Sequence, residues 1–259
     1  MKININPRRV TQILLLVVAV LVTLSVAGQC YRYFIGNDPA ILKIVGKVDL
    51  DGEGDCLPTW YQICSLFFCF IVLTVITLGK RAAQESWVRH WGFLAFTFLY
   101  LSLDEAIAIH EQLSKIGKQV KATGGVHDFW VIPALLVVSL FGLSYLRFLW
   151  RLPFSTRWLM IIAGVVYVSG AAGMEIISGH YVETHQASLI NGENFTYKML
   201  DTIEETLEML GIVMFIHANL SYLAHTAEEL EIAGKENFAF SPGITLATQA
   251  HAYNAIVKS

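Results

Sequence analysis

The chain has 259 residues, of which 55% are hydrophobic and 15% charged, with a formal net charge of −3. A mean hydropathy of +0.54 and a charged fraction well under the roughly 25% of soluble domains exclude an ordinary water-soluble globule. The acidic balance also lacks the concentrated basic surface that DNA or RNA requires, so nucleic acid is excluded as a partner and the lipid bilayer is the expected one.

Six stretches are apolar over the ~20 residues that a bilayer-crossing helix needs. They are residues 10–35, 59–78, 90–112, 129–149, 158–178 and 202–223. The expected fold is all-α, a polytopic membrane helical bundle of six transmembrane helices in residues 1–225, followed by a C-terminal tail in residues 226–259. Lys2, Arg8 and Arg9 precede an apolar run that is longer than the ~7–15 residues of a signal peptide's core, so the first span is read as an uncleaved helix. Basic residues stay on the cytoplasmic side of a membrane. Lys2, Arg8 and Arg9, then Lys80, Arg81 and Arg89, then Arg147, Arg151 and Arg157 all fall at one side, which places both termini in the cytoplasm. A multi-pass protein of the cell (inner) membrane is expected.

After the first span, DLDGEGD alternates Asp49, Asp51, Glu53 and Asp55. It lacks the full calcium loop of an EF-hand and reads as a solvated acidic turn. Pro58 and Trp60 then suit a helix start at the membrane interface. The four cysteines, Cys30, Cys56, Cys64 and Cys69, have no zinc-type pairing.

The third span ends in LSLDEAIAIHEQ, which puts Asp104, Glu105, His110 and Glu111 on an otherwise apolar segment. Ionisable groups at membrane depth are costly and usually face the bundle interior. At about 100° per residue, Asp104 and Glu111 fall in register, so Asp104, His110 and Glu111 are expected to face inward, with Glu105 to one side. In the fifth span Glu175 follows Gly164, Ser169, Gly170, Ala171, Ala172 and Gly173, small residues that let helices approach closely. His180, Glu183 and His185 read as surface residues of the loop beyond.

The sixth span opens on DTIEETLEML, whose Asp201, Glu204, Glu205 and Glu208 form one helical stripe. Thr202 and Glu205 match a capping box, and acids suit a helix's first turn. That accounts for all but Glu208, which sits a turn deeper beside Leu207, Met209 and Leu210.

All three acidic motifs fall at the outer ends of their spans. Several carboxylates cannot stay ionised together in low dielectric without protons or cations between them. A divalent metal would supply that charge, and oxygen ligands with an imidazole suit Fe, Mn or Zn. Candidate metal ligands are therefore Asp104, Glu105, His110, Glu111, Glu175, Glu204, Glu205 and Glu208, with Glu208 and Glu175 the candidate catalytic residues. The spacing departs from the Glu-x-x-His pairs of di-iron bundles.

LPTWYQ, LSLDEAIAIHEQL, FWVIP, YLRFLWRLP, GMEIISGHY and EETLEMLG together resemble a group of multi-pass bacterial membrane proteins with no assigned activity. The resemblance implies that the acids of the three motifs belong to one pattern, and it implies no reaction. A looser similarity is to ceramidase-type intramembrane hydrolases, which gather acids and histidines around zinc; their paired-histidine signature and seventh span are missing here. The leading expectation is a metal-dependent membrane enzyme, hydrolase or oxidase, acting on a lipid or other apolar substrate. The alternatives are a structural or assembly subunit that pairs with a membrane-protein partner or a second copy of itself, and then a proton or cation transporter.

Overall fold

The computed structural model describes residues 6–36, 38–50, 56–109, 131–185 and 194–239. Among these residues the secondary structure is helical, with no strand. The chain divides into two units, Met1–Ser221 and Tyr222–Ser259.

The first helix, α1 (Pro7–Cys30), starts where the sequence signals it: Asn6 Oδ1 accepts from the backbone N–H of Arg8 at 3.1 Å and of Arg9 at 3.3 Å, and Pro7 takes the first helical position. A π-helical turn, Tyr31–Ile35, ends it. The short α2 (Pro39–Val48) is capped by Asp38, whose Oδ1 accepts from Ala40 N–H at 2.8 Å. Next comes α3 (Leu57–Ala82), with a proline in its first turn, as expected at Pro58. It packs along its length on α4 (Val88–Ile107). Then follow α5 (Val131–Leu149) and α6 (Phe154–Val168). A second π-helical stretch (Ser169–Met174) carries α6 into α7 (Glu175–Thr184). The last helix, α8, runs Phe195–Ala239.

Among the described residues four helical stretches are long and apolar enough to cross a membrane, not six: Pro7–Ile35, Leu57–Ala82, Phe154–Thr184 and Phe195–Thr226. The expected third span falls short because α4 carries Arg89 and His90 at one end and Asp104 and Glu105 at the other, and because it stops at Ile107 rather than continuing to Gln112. Within the expected fourth, the described apolar helix is the shorter Pro133–Leu149.

The surface pattern is that of a membrane protein. Leu16, Val137 and Leu143 are each more than 60% exposed, while Ser25, Gln29, Gln62 and Asn219 are fully buried or nearly so. Water would penalise that arrangement on both counts; lipid favours it.

Within the first unit, α8 is the central helix. Its Met209 and Val213 join Val18 and Leu21 of α1 and Leu50 in one core, with Tyr61 of α3 packed against it. Thr11 Oγ1 and His217 Nδ1 share a hydrogen bond of 2.8 Å, tying α1 to α8, and Phe98 of α4 stacks on Phe215 at 4.6 Å. A helix apolar all round belongs in the middle of a bundle, and residues 209–216 are of that kind. The α4–α5 contact is aromatic: Trp91 meets Phe148 edge-on at 5.0 Å, and the Tyr145 hydroxyl donates to His90 O at 2.8 Å. In the second unit, residues 222–239 continue as helix.

Candidate functional site

The acidic stripe of α8 is not at a helix start. Asn194 Oδ1 accepts from Tyr197 N–H at 2.9 Å, and the helix is under way from Phe195, seven residues before Thr202. The capping box read from Thr202 and Glu205 therefore does not form. Thr202 Oγ1 instead donates back to Lys198 O at 2.7 Å, as an interior helix threonine does. Glu205 lies about 15 Å along the helix from Phe195, and Glu208 a turn further, on the usual rise per residue. Helix-end chemistry is thus no explanation for any acid of the stripe.

Two glycines set α6 and its π-helical continuation against α8. A Cβ on Gly211 would come within 2.8 Å of both the backbone N and the Cβ of Tyr167. On Gly170 it would come within 2.9 Å of Glu204 O and 3.1 Å of Glu208 Cγ. Of the glycines in the expected small-residue stripe, Gly170 alone serves as a close contact in this way, since Gly164 has nothing within 4 Å and Gly173 meets only Ser169. The crossing brings Tyr167 alongside the acids. Its ring is half-buried while its hydroxyl lies deep among protein atoms, where the charges of Glu208, Glu105, Glu205 and Asp104 act on it, in that order of strength. Acids from α4 and α8 thus both act electrostatically on a tyrosine from α6. From α3, the Gln62 amide joins them, its Nε2 donating to Glu205 Oε2.

Glu175 and Glu204 are half-buried and are not among the groups acting on Tyr167. His110 and Glu111 lie outside the described residues, as do His127 and Asp128. Ala108 takes a left-handed conformation (φ 51°, ψ 50°) that ends α4 at Ile107. Glu105 acts on Tyr167 ahead of Asp104, although the helical register had set it aside. His180, Glu183 and His185 are exposed, as expected. Among the described residues no three His, Cys, Asp or Glu side chains come together closely enough to hold a metal ion.

Three participants escaped the sequence reading. Tyr167 and Gln62 are uncharged and look like ordinary interior residues. Lys198 is 5% exposed and Asp201 7%, one turn apart on α8, so this helix buries a cation of its own beside the acids. An opposite charge three residues away was the available signal.

A second polar cluster lies at the junction of α1 and α2. Gln29 Nε2 donates to Asp49 Oδ2 at 2.7 Å and Ser25 Oγ to Asp49 Oδ1 at 3.4 Å, while Leu50 N–H donates to Ser25 Oγ at 3.1 Å. Asp49 is 6% exposed, which corrects the reading of a solvated acidic turn at this residue. Asp51, Glu53 and Asp55 lie outside the described residues.

No curated protein and no solved structure matches the chain. A family model does match, that of a domain of unknown function, DUF8692, over residues 13–223, a range that takes in Gln62, Asp104, Glu105, Tyr167, Glu205 and Glu208, and the chain belongs to this family.

Proposed function

We propose that the chain is a multi-span protein of the cell's inner membrane, with both termini cytoplasmic, in which the acids around Tyr167 hold a divalent metal ion (Fe, Mn or Zn). The ion would support a hydrolytic or oxidative reaction on a lipid or other apolar substrate. The observation that carries this reading is that Glu208, Glu105, Glu205 and Asp104, from α4 and α8, all lie near enough to Tyr167 for their charges to act on its hydroxyl, with Glu205 also bonded by Gln62. Such charges repel one another in low dielectric unless protons or a cation intervene. A divalent ion would also bring a polarised water or a Lewis acid to membrane depth. Glu208 is the proposed ligand or general base, on account of its depth; Glu175, a turn past Gly170, is proposed as an auxiliary base.

Gently purified protein should then carry close to one metal ion per chain, lost in the Glu105→Ala, Glu208→Ala pair. Folded wild-type protein without metal would sink the reading.

A second reading draws on the spacing of the acids. With no three potential ligands close together among the described residues, the carboxylates would be neutralised by protons, and the site would bind and release protons or a monovalent cation. Liposome flux abolished by Glu208→Gln, in metal-free protein, would favour it. One stoichiometric partner chain and no metal would point instead to an assembly subunit.

A further inference from the structure

The two basic turns meet their charge differently. Between α3 and α4, Lys80 Nζ donates to both carboxylate oxygens of Glu85, at 3.0 and 2.8 Å. Around the turn between α5 and α6 stand Arg147, Arg151 and Arg157, and the sequence has no Asp or Glu from residue 129 to residue 174. Arg147 and Arg151 are exposed. Arg157 is half-buried, with its guanidinium carbon 4.4 Å from the centre of the Trp150 ring and 5.3 Å from that of Phe154. Ring faces attract the charge but give its N–H groups no oxygen. The Arg157 Nε is enclosed without a hydrogen-bond partner, and the side chain forms no ion pair among the described residues. A guanidinium carries five donors in a fixed fork, so this one is ordered and unsatisfied.

Its place on α6 adds to this. Pro153 precedes the helix and no side chain caps it, which leaves the N–H groups of Phe154, Ser155 and Thr156 at the positive end of the helix dipole without a side-chain acceptor. Arg157 is the fourth residue of that helix, where a cation is disfavoured and an anion favoured. The rings beside it face outward: Trp150 is 66% exposed and Phe154 70%. Phe154 also begins a stretch long and apolar enough to cross a membrane, and aromatic residues at span ends sit at headgroup depth.

We infer that the α5–α6 turn binds the headgroup phosphate of an anionic phospholipid, with Arg157 as its principal donor. A phosphate diester answers the charge and the N–H groups together, and the rest of the lipid covers rings that a free phosphate would leave in water. Arg151, next in sequence to Trp150, adds positive charge. A zwitterionic headgroup would bring its own ammonium to a turn that already holds three cations, so net negative charge is selected. This site is independent of the ion proposed near Tyr167.

The test presents the full-length chain in detergent with phosphatidylglycerol, phosphatidylcholine or inorganic phosphate and follows bound molecules by native mass spectrometry, for wild type, Arg157→Gln and Arg81→Gln. Arg81 is an exposed cation at the other basic turn, and thermal unfolding reports folding of each variant. Wild type should retain one phosphatidylglycerol in preference to phosphatidylcholine, undisplaced by inorganic phosphate. Arg157→Gln should bind it about ten-fold or more weakly, and Arg81→Gln should match wild type. Equal binding of the two lipids, or displacement by inorganic phosphate, would overturn the lipid assignment. Arg157→Gln binding like wild type, or an equal loss in Arg81→Gln, would overturn the site. Should Arg157→Gln not fold, the exposed pair Arg147→Gln, Arg151→Gln decides: a lost preference for phosphatidylglycerol supports the site, and an unchanged one overturns it.

Discussion

The two buried polar clusters differ in how their charge is met. At the α1–α2 junction one carboxylate, Asp49, accepts from two neutral donors, Gln29 and Ser25, and Ser25 in turn accepts from Leu50. Around Tyr167 the charges of four carboxylates act together, and the Gln62 amide donates to one of them, Glu205. The first arrangement pins a short helix to a long one. The second sets four acids near a tyrosine, with Lys198 buried on α8, a concentration of charge in an apolar segment that a fold does not usually retain for packing alone. Each cluster also stands beside a close approach at a glycine. Gly28 faces the side chain of Val45, with a Cβ predicted to come within 2.8 Å of its Cγ1, whereas Gly211 faces the backbone of Tyr167.

That last difference sets the largest expected effect. In Gly211→Ala the new methyl meets main-chain atoms that cannot rotate away, so α6 and α8 must separate. A loss of about 3 kcal/mol or more is expected, partly offset by about 1 kcal/mol of helix propensity, together with loss of cation binding. Gly28→Ala meets only a valine side chain, which can shift, and should cost about 1 kcal/mol with cation binding intact. Thermal unfolding in detergent and metal content measure both. Equal losses in the two variants would remove the distinction between the clusters.

Charge removal should act with opposite signs. In Asp49→Asn an amide replaces the acceptor, and Gln29 or Ser25 is left facing a donor; about 2 kcal/mol of stability should be lost, with metal content unchanged. Glu208→Gln relieves repulsion among four acids, so the metal-free protein should gain about 1 kcal/mol while the metal is lost. If Glu208→Gln destabilises the metal-free chain as Asp49→Asn does, Glu208 is a structural residue.

The helices were legible because lipid demands long apolar runs, and α1, α3, α6 and most of α8 lie where those runs are. Their ends were less so. Lys198 broke the run ahead of the sixth expected span, which hid the true start of α8 at Phe195 and made interior acids look like a capped first turn. The Asp38–Pro39 pair that opens α2 is a legible start signal, but the helix it begins is too short to read as a span. Periodicity along one helix could not tell Gly170 from Gly164, since only the neighbouring helix decides which glycine is the contact. Asp104, Glu105, Glu205 and Glu208 were conspicuous as charges in apolar sequence. Tyr167 and Gln62 were not, because a neutral residue acquires its role from what surrounds it.

The smallest effect concerns the end of α4, where sequence and structure part most sharply. Nothing in LDEAIAIH marks Ala108 for a left-handed backbone, yet it adopts φ 51° three residues after Glu105. An L-residue pays about 1–2 kcal/mol there, and glycine adopts the same conformation without a Cβ penalty, at some cost in unfolded-chain entropy. Ala108→Gly should therefore stabilise the protein by a net of about 0.5–1 kcal/mol, read as a higher melting temperature. The comparison of the clusters is sharpened by what else changes. A bend that serves only to end the helix predicts unaltered metal content. A bend that holds Asp104 and Glu105 toward Tyr167 predicts that the more stable variant binds its ion less tightly, because a glycine at the turn lets both acids relax away from the repulsion they share with Glu205 and Glu208.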